Sequence, residues 1–133
     1  MSRFMQVCEF GLVNFNHQDY EDKINLFGKS YTVRIESDCD ISTTKSQVAK
    51  ANKLLKNDSV TKKICKLAVD FIKRSYSKTV TADAILKQVK PIAMLIEDYG
   101  EVTIICDYDP WTNAGLGIQV IPKIDVADRA AFC

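Results

Sequence analysis

The apolar side chains between Val60 and Tyr76 constrain the fold more than any other feature of this 133-residue sequence. They recur at the three- and four-residue spacing that lines one face of an α-helix. Basic residues, among them Lys62 and Lys63, occupy the remaining surface. The apolar positions are Val60, Ile64, Leu67, Ala68, Phe71, Ile72 and Tyr76. The pattern predicts a helix from Val60 to Tyr76 with one apolar and one basic face.

Two shorter helices are predicted on either side of this one. Lys45–Lys56 carries an apolar stripe at helical spacing, and Thr44 with Gln47 fits a capping box at its start. Ala82–Val89 follows Thr81, a preferred N-cap residue, and a proline shortly after it cannot continue a helix. The middle of the chain is therefore predicted to be α-helical.

The first part of the chain has the alternation of β-strands instead. Lys23–Phe27 and Ser30–Glu36 flank Gly28–Lys29, and the second of these segments alternates strictly between apolar and polar residues. This pattern predicts a β-hairpin, and alternation of this kind is typical of an antiparallel sheet with one solvated face. An earlier strand is predicted over Phe4–Val13, and polar, turn-like residues occupy Asn14–Asp22.

The last part of the chain is also predicted to form strands. Ile92–Ile96, Val102–Cys106 and Leu116–Ile121 are apolar runs of strand length. A turn over Glu97–Gly100 separates the first two runs, and a loop that contains the only Trp separates the second from the third. Asp125–Cys133 is predicted to be a short terminal helix or coil.

These segments together predict a single α+β domain over residues 1–133. The order βββ-ααα-βββ favours an antiparallel sheet with two or three central helices packed on one face. A chain of 133 residues can bury a core without disulfides or a structural metal. No apolar run is long enough to span a bilayer, so no membrane partner is expected.

The cysteines favour a reducing compartment. Their number is odd and none forms a C-x-x-C pair. Cys65 and Cys106 lie among apolar residues and are expected in the core. Because the N-terminus also has no secretory signal, we expect a cytoplasmic protein.

Charge is distributed unevenly along the chain, although the net formal charge is +1. The segment from Lys45 to Lys90 has a formal charge of +9, and the residues on either side of it have −8. Acids and the lone Trp in the last third form the predicted partner-binding surface: Glu97, Asp98, Glu101, Asp107, Asp109, Trp111, Asp125 and Asp128. Such a surface suits a basic protein partner. The alternative interpretation is a set of solvated loop acids.

The chain contains no motif that indicates catalysis, metal binding or cofactor binding. Asp107 and Asp109 have the D-x-D spacing of cation ligands, but the later positions that an EF-hand loop requires hold unsuitable residues. His17, the only histidine, lies in a polar stretch. There is no nucleophile elbow, phosphate-binding loop or dinucleotide fingerprint. We therefore predict no catalytic residue, metal or cofactor, and no enzyme activity.

Several short motifs resemble an uncharacterised family of small bacterial α+β proteins. The motifs are the run Lys23–Lys29, the alternating Tyr31–Ile35, Gln47 before a helix pair that ends near Tyr76, Cys106–Trp111 and Gly115–Ile118. Members of that family are often encoded near polymorphic toxin and contact-dependent inhibition systems, where some are immunity proteins. The family's ending usually resembles Trp-Asp-Pro-Glu-His-Gly-Leu-Gly-Ile; here Tyr108 replaces the Trp and Ala114 stands where the His would be.

The resemblance implies an immunity-type protein that binds and neutralises a cognate bacterial toxin without catalysis. A nuclease is one such toxin, because its basic cleft matches an acidic surface. Two alternatives stay open: a nucleic-acid-binding module that uses the Lys-rich helices of residues 45–90, and a small ligand-binding protein. Nucleic acid and small molecules are the less favoured partners.

Overall fold

The structure is a computed structural model that describes residues 20–109 and 115–132. Within them, six strands form one sheet, three α-helices follow the second strand, and a short 3₁₀ helix follows the sixth strand. The strands are β1 (Tyr20–Leu26), β2 (Lys29–Ser37), β3 (Val89–Ile96), β4 (Val102–Tyr108), β5 (Gly115–Ile121) and β6 (Asp125–Asp128). The helices are α1 (Ile41–Leu55), α2 (Asp58–Tyr76), α3 (Ala82–Gln88) and the 3₁₀ helix Arg129–Phe132.

The predicted α+β class is confirmed, but the predicted order of elements is wrong. The described residues have the order ββ-ααα-ββββ. Asp125–Asp128 forms β6 against β5, rather than a helix or coil, and buries Val126 in the core, whereas Arg129–Phe132 is a short helix as predicted. Tyr20–Asp22 belongs to β1 rather than to a turn. The strand predicted over Phe4–Val13 and the histidine at His17 lie outside the described residues.

The sheet is mixed, whereas an antiparallel sheet was predicted. Its strands lie in sequence order, and Arg34–Ser37 of β2 pairs in parallel with Ala93–Ile96 of β3. Every other neighbouring pair is antiparallel. The parallel pair arises because the three helices between β2 and β3 return the chain to the end of the sheet at which β2 begins. A crossover of this kind is what parallel neighbours require.

The hairpin predicted from the alternating residues is confirmed. Leu26 pairs with Lys29, which leaves Phe27 and Gly28 as a two-residue loop. Both loop residues have positive φ, 56° and 77°, as a type I′ turn demands. Gly28 adopts this backbone without a steric penalty, and Phe27 bears the cost of a left-handed conformation.

The three predicted helices are confirmed, and the first starts earlier than expected. Asp40 caps α1, since its Oδ1 accepts the Thr43 N–H at 2.7 Å. The predicted capping box is therefore wrong: the Thr44 hydroxyl is buried and lies 2.7 Å from the Oγ of Ser37. For α3 the expected cap is present, because Thr81 Oγ1 accepts the Ala84 N–H at 3.1 Å.

The main core lies between the sheet and the three helices. It contains the apolar stripes of α1 and α2 and the matching face of the strands, with Cys65 and Cys106 buried as predicted. Burial raises the pKa of the Cys106 thiol, so this thiol stays protonated. A second, smaller cluster of Ala93, Leu95 and Ile105 is buried on the other side of the sheet. The second face is therefore buried at β3 and β4, whereas on β1 the side chains of Glu21 and Lys23 on that face are exposed.

Candidate partner-binding surface

The residues predicted to bind a partner lie at two opposite ends of the sheet. Glu97, Asp98 and Glu101 come just before β4, whereas Asp107 and Asp109 come at its other end. Strand β4 spans roughly 20 Å at about 3.3 Å per residue. The predicted residues therefore form two groups that one small patch cannot include.

The connection between β3 and β4 is a tight turn held by backbone hydrogen bonds. Glu97 N–H donates to the carbonyl of Glu101 at 2.9 Å, and Gly100 N–H donates to the carbonyl of Glu97 at 2.9 Å. Gly100 has φ of +91°, a conformation that L side chains rarely adopt. The Gln47 side-chain amide on α1 also donates to the Gly100 carbonyl. The turn is thus anchored to both the sheet and a helix.

Tyr99 projects from this turn with 68% of its surface exposed. A hydrogen bond with the Glu97 carboxylate raises the pKa of Tyr99 to about 12, with smaller contributions from burial and from the charges of Glu97, Glu101 and Asp98. The phenol is therefore neutral at physiological pH and remains a hydrogen-bond donor. Tyr99 offers an aromatic face and a polar tip surrounded by carboxylates.

Two further acids, Asp38 and Asp40, lie beside this turn. They were not identified as site residues from the sequence. Asp38 N–H donates to the Ile96 carbonyl at 2.9 Å, and the Cys39 thiol donates to the Glu97 carbonyl at 3.2 Å. These bonds place Asp38 and Asp40 beside the turn. They lie there because β2 and β3 are parallel, and no local pattern in the sequence indicates that pairing.

The Tyr99 end is defined here as residues 38–40, 97–101 and 122–125. The last segment belongs to it because Val102 pairs with Ile121, so that β4 starts where β5 finishes. The carboxylates of this end are Asp38, Asp40, Glu97, Asp98, Glu101 and Asp125. Lys123 is the one basic residue in these three segments, so their formal charge is −5. Hydrogen bonds from the α1 N-terminus lower the pKa of the Asp40 carboxyl and keep it ionised.

At the Asp107 end, residues 107–109 and 128–129, two of the three acids are bound by other side chains. Asp107 Oδ1 lies 3.1 Å from Arg129 Nη1 in an ion pair. The Tyr76 hydroxyl donates to Asp128 Oδ2 at 3.0 Å. Burial and, after it, the bond to Asp128 raise the pKa of Tyr76. Asp109 is exposed, and Trp111, predicted as part of the surface, lies outside the described residues.

The basic residues of the middle segment cover the outside of the helices and the end of α2. All of them are exposed: Lys50, Lys53, Lys56, Lys62, Lys63, Lys66, Lys73, Arg74 and Lys78. Among the described residues, no carboxylate forms an ion pair with any of these side chains. We call this set the basic helix layer. It lies on the helical side of the sheet, whereas the Tyr99 end consists of the connections at one end of the strands.

Two grooves lie beside α3. One, of about 390 Å³, is bounded by α2 and α3 and has a mainly apolar lining that includes Cys65, Val69 and Leu86. The other, of about 360 Å³, has Tyr108 and Lys78 among its lining residues. Both include Val80, which lies in the segment that connects the two helices.

The described residues form neither a metal-binding cluster nor a helix that could span a membrane. Over residues 20–109 and 115–132, no cluster of three or more His, Cys, Asp or Glu side chains is arranged to hold a metal ion. No helix in that part of the chain has the length and apolar character needed to cross a membrane.

Comparison with known proteins does not assign the chain to a family. No family model matches it, no curated protein matches its sequence, and no solved structure matches its fold.

Proposed function

We propose that this protein is an immunity-type protein that binds and neutralises a bacterial toxin through the Tyr99 end, without chemistry of its own. The exposure of Tyr99 among carboxylates is the observation that carries the proposal. Tyr is enriched among the residues that dominate binding energy, because it adds a large contact area at a small entropic cost. Complementary charge accelerates encounter with a basic partner.

A nuclease toxin is the partner that this chemistry fits best. Such an enzyme holds the phosphates of its substrate with Lys and Arg side chains. The formal charge of −5 at the Tyr99 end would complement that cleft, and Tyr99 would insert where a nucleotide base stacks. The resemblance of the short sequence motifs to those of proteins encoded near toxin systems supports a toxin as the class of partner.

The test is co-purification with the product of the adjacent upstream gene, followed by a growth assay in which that product is expressed. The protein is expected to restore growth, and Tyr99→Ala is expected to lose most of this protection. Tyr76→Ala is a matched control, since Tyr76 is a partly exposed tyrosine that donates a hydrogen bond to Asp128 at the Asp107 end. An upstream product that is harmless, or that does not associate, would refute the proposal.

The basic helix layer favours nucleic-acid binding as a second candidate function. Its exposed cations have no ion-pair partner among the described carboxylates, so they are free to neutralise phosphates. Each phosphate contact should make the slope of log affinity against log salt concentration more negative by about 0.9 for duplex DNA. Absence of a gel shift with generic duplex DNA or RNA at low salt would eliminate this candidate.

A further inference from the structure

The groove between α2 and α3 combines an apolar floor with a charged rim. Its apolar lining residues are Cys65, Val69, Val80, Ala82 and Leu86. Val69, Val80 and Leu86 are only partly covered by other side chains, although they pack against the main core. A volume of about 390 Å³ lies within the range of roughly 300–1,000 Å³ that small-molecule sites occupy. The groove is therefore large enough for a small apolar ligand.

The rim of the groove carries its charges in a defined order. Lys62, Lys66 and Asp70 all line it and follow one another at four-residue intervals on α2. Side chains at this spacing lie on one side of a helix, about one turn apart. The two ammonium groups attract a carboxylate, and Asp70 repels one from the next turn. Burial raises the pKa of the Cys65 thiol, so this part of the groove floor is uncharged at neutral pH.

We propose that this groove binds a monocarboxylate with an unbranched apolar chain, such as a medium-chain fatty acid. The carboxylate lies between Lys62 and Lys66, and the chain covers the floor formed by Val69 and Leu86. Charge complementarity selects the head group, and the removal of the chain from water provides the affinity. This binding is independent of the toxin contact, which lies at the Tyr99 end.

The direct test is titration of the full-length protein with octanoate and decanoate below their micelle concentrations, followed by calorimetry and amide NMR. We expect one saturable site, with shifts concentrated at Val69, Val80 and Leu86. Affinity should increase by about fourfold for each added methylene that the groove buries. No saturable binding, or shifts located elsewhere, would overturn the proposal.

Two variants and one ligand test the charge contribution. Lys62→Gln with Lys66→Gln should weaken decanoate binding by roughly tenfold, because charge-assisted contacts are lost. Lys63→Gln with Lys73→Gln changes the charge of the same helix equally but does not alter the groove lining, and should have little effect. Equal losses in the two double variants, or decanol that binds as tightly as decanoate, would overturn the assignment of the head group.

A third variant distinguishes a ligand groove from a protein-docking groove. Ala82→Trp places a large side chain at an exposed lining position, so it should block decanoate while leaving the circular dichroism spectrum unchanged. If wild-type protein does not bind decanoate but Ala82→Trp weakens capture of a protein partner, the groove is a protein contact and the fatty-acid proposal is wrong.

Discussion

At the Tyr99 end of the sheet, acids from three connections lie at the same end as an exposed aromatic side chain; at the Asp107 end, two of the three acids are bound by the side chains of other elements. Asp107 is paired with Arg129, and Asp128 accepts the Tyr76 hydroxyl. The Tyr99 end has Lys123 as the one basic residue in its defining segments. In the sequence the two groups of acids are similar, since both follow apolar strands.

The two ends differ because neighbouring strands and helices bring different charged residues to each of them. Strand β6 and the 3₁₀ helix bring Arg129 to the Asp107 end, where its charge offsets that of Asp107. At the Tyr99 end, the parallel pairing of β2 and β3 adds Asp38 and Asp40 to the acids of the turn. A count of acids along the chain therefore does not measure the charge that a partner meets.

The largest expected effect concerns the glycine at each end. A Cβ at Gly115 would overlap the Cys106 carbonyl oxygen, which cannot move without breaking the strand, so Gly115→Ala should cost about 3 kcal/mol or more. A Cβ at Gly100 would lie 3.2 Å from the flexible Gln47 amide, and its φ of +91° makes Gly100→Ala cost roughly 1–2 kcal/mol. Urea denaturation measures both. Equal decreases in the free energy of unfolding would contradict the difference in packing around the two glycines.

The next effect concerns association with the basic toxin that we propose as the partner. Asp98→Lys with Glu101→Lys should slow association by about tenfold at low salt, because charge at the contact surface steers encounter. Asp107→Lys with Asp109→Lys changes the charge equally at the other end and should slow it much less. Stopped-flow measurements at two salt concentrations provide the comparison. If Asp107→Lys with Asp109→Lys slows association more than the first pair does, the contact lies at the Asp107 end instead.

A smaller effect is expected when one charge is removed at each end. Asp107→Asn breaks the ion pair with Arg129, and because the Asp107 side chain is 58% exposed, the loss should be at most about 0.5 kcal/mol. High salt should reduce that loss further. Asp98→Asn removes a charge among other acids, so it should leave the free energy of unfolding unchanged or slightly higher. Destabilisation by Asp98→Asn would reveal an attractive contact for that carboxylate.

The smallest effect is the titration of Tyr99. Its pKa, about 12 against an ordinary value of 10.0, should fall toward 10.0 in Glu97→Gln, since the hydrogen bond to the carboxylate is the main cause of the shift. Because the folded state binds this proton more tightly, the associated stability is fully present below pH 10 and decreases as pH rises toward 12. Ultraviolet titration of wild-type and variant protein measures the pKa. A wild-type Tyr99 that titrates near 10 would contradict the hydrogen bond.

Local patterns predicted most of the helices and strands. The β1–β2 hairpin follows from alternation around Gly28, and α2 follows from its apolar repeat, which matches Asp58–Tyr76 closely. The strands β4 and β5 and the turn before β4 follow from apolar runs and turn residues. These patterns are informative because side chains repeat with period 3.6 in a helix and period two in a strand, whatever the rest of the chain does.

The candidate sites depended much more on tertiary structure. Lys62 and Lys66 were expected to be exposed on a basic helix, but only the packing of α3 against α2 places them on the rim of an apolar groove. Asp40 was not identified from the sequence as the cap of α1, or as an acid beside the turn that carries Tyr99, although the structure places it in both positions. The sequence contains the residues but not the distances between elements, because those distances arise from packing.

The sequence by itself determined the α+β class, the amphipathic helices, the hairpin and the separation of basic from acidic segments, since each is encoded in residues that are neighbours along the chain. Only the tertiary structure decided that β2 and β3 are parallel, that the acids divide between two ends, and that Asp107 and Asp128 have partners. Those features depend on strands and helices that are far apart in sequence, and their pairing is selected by the burial of a shared core rather than by any local pattern.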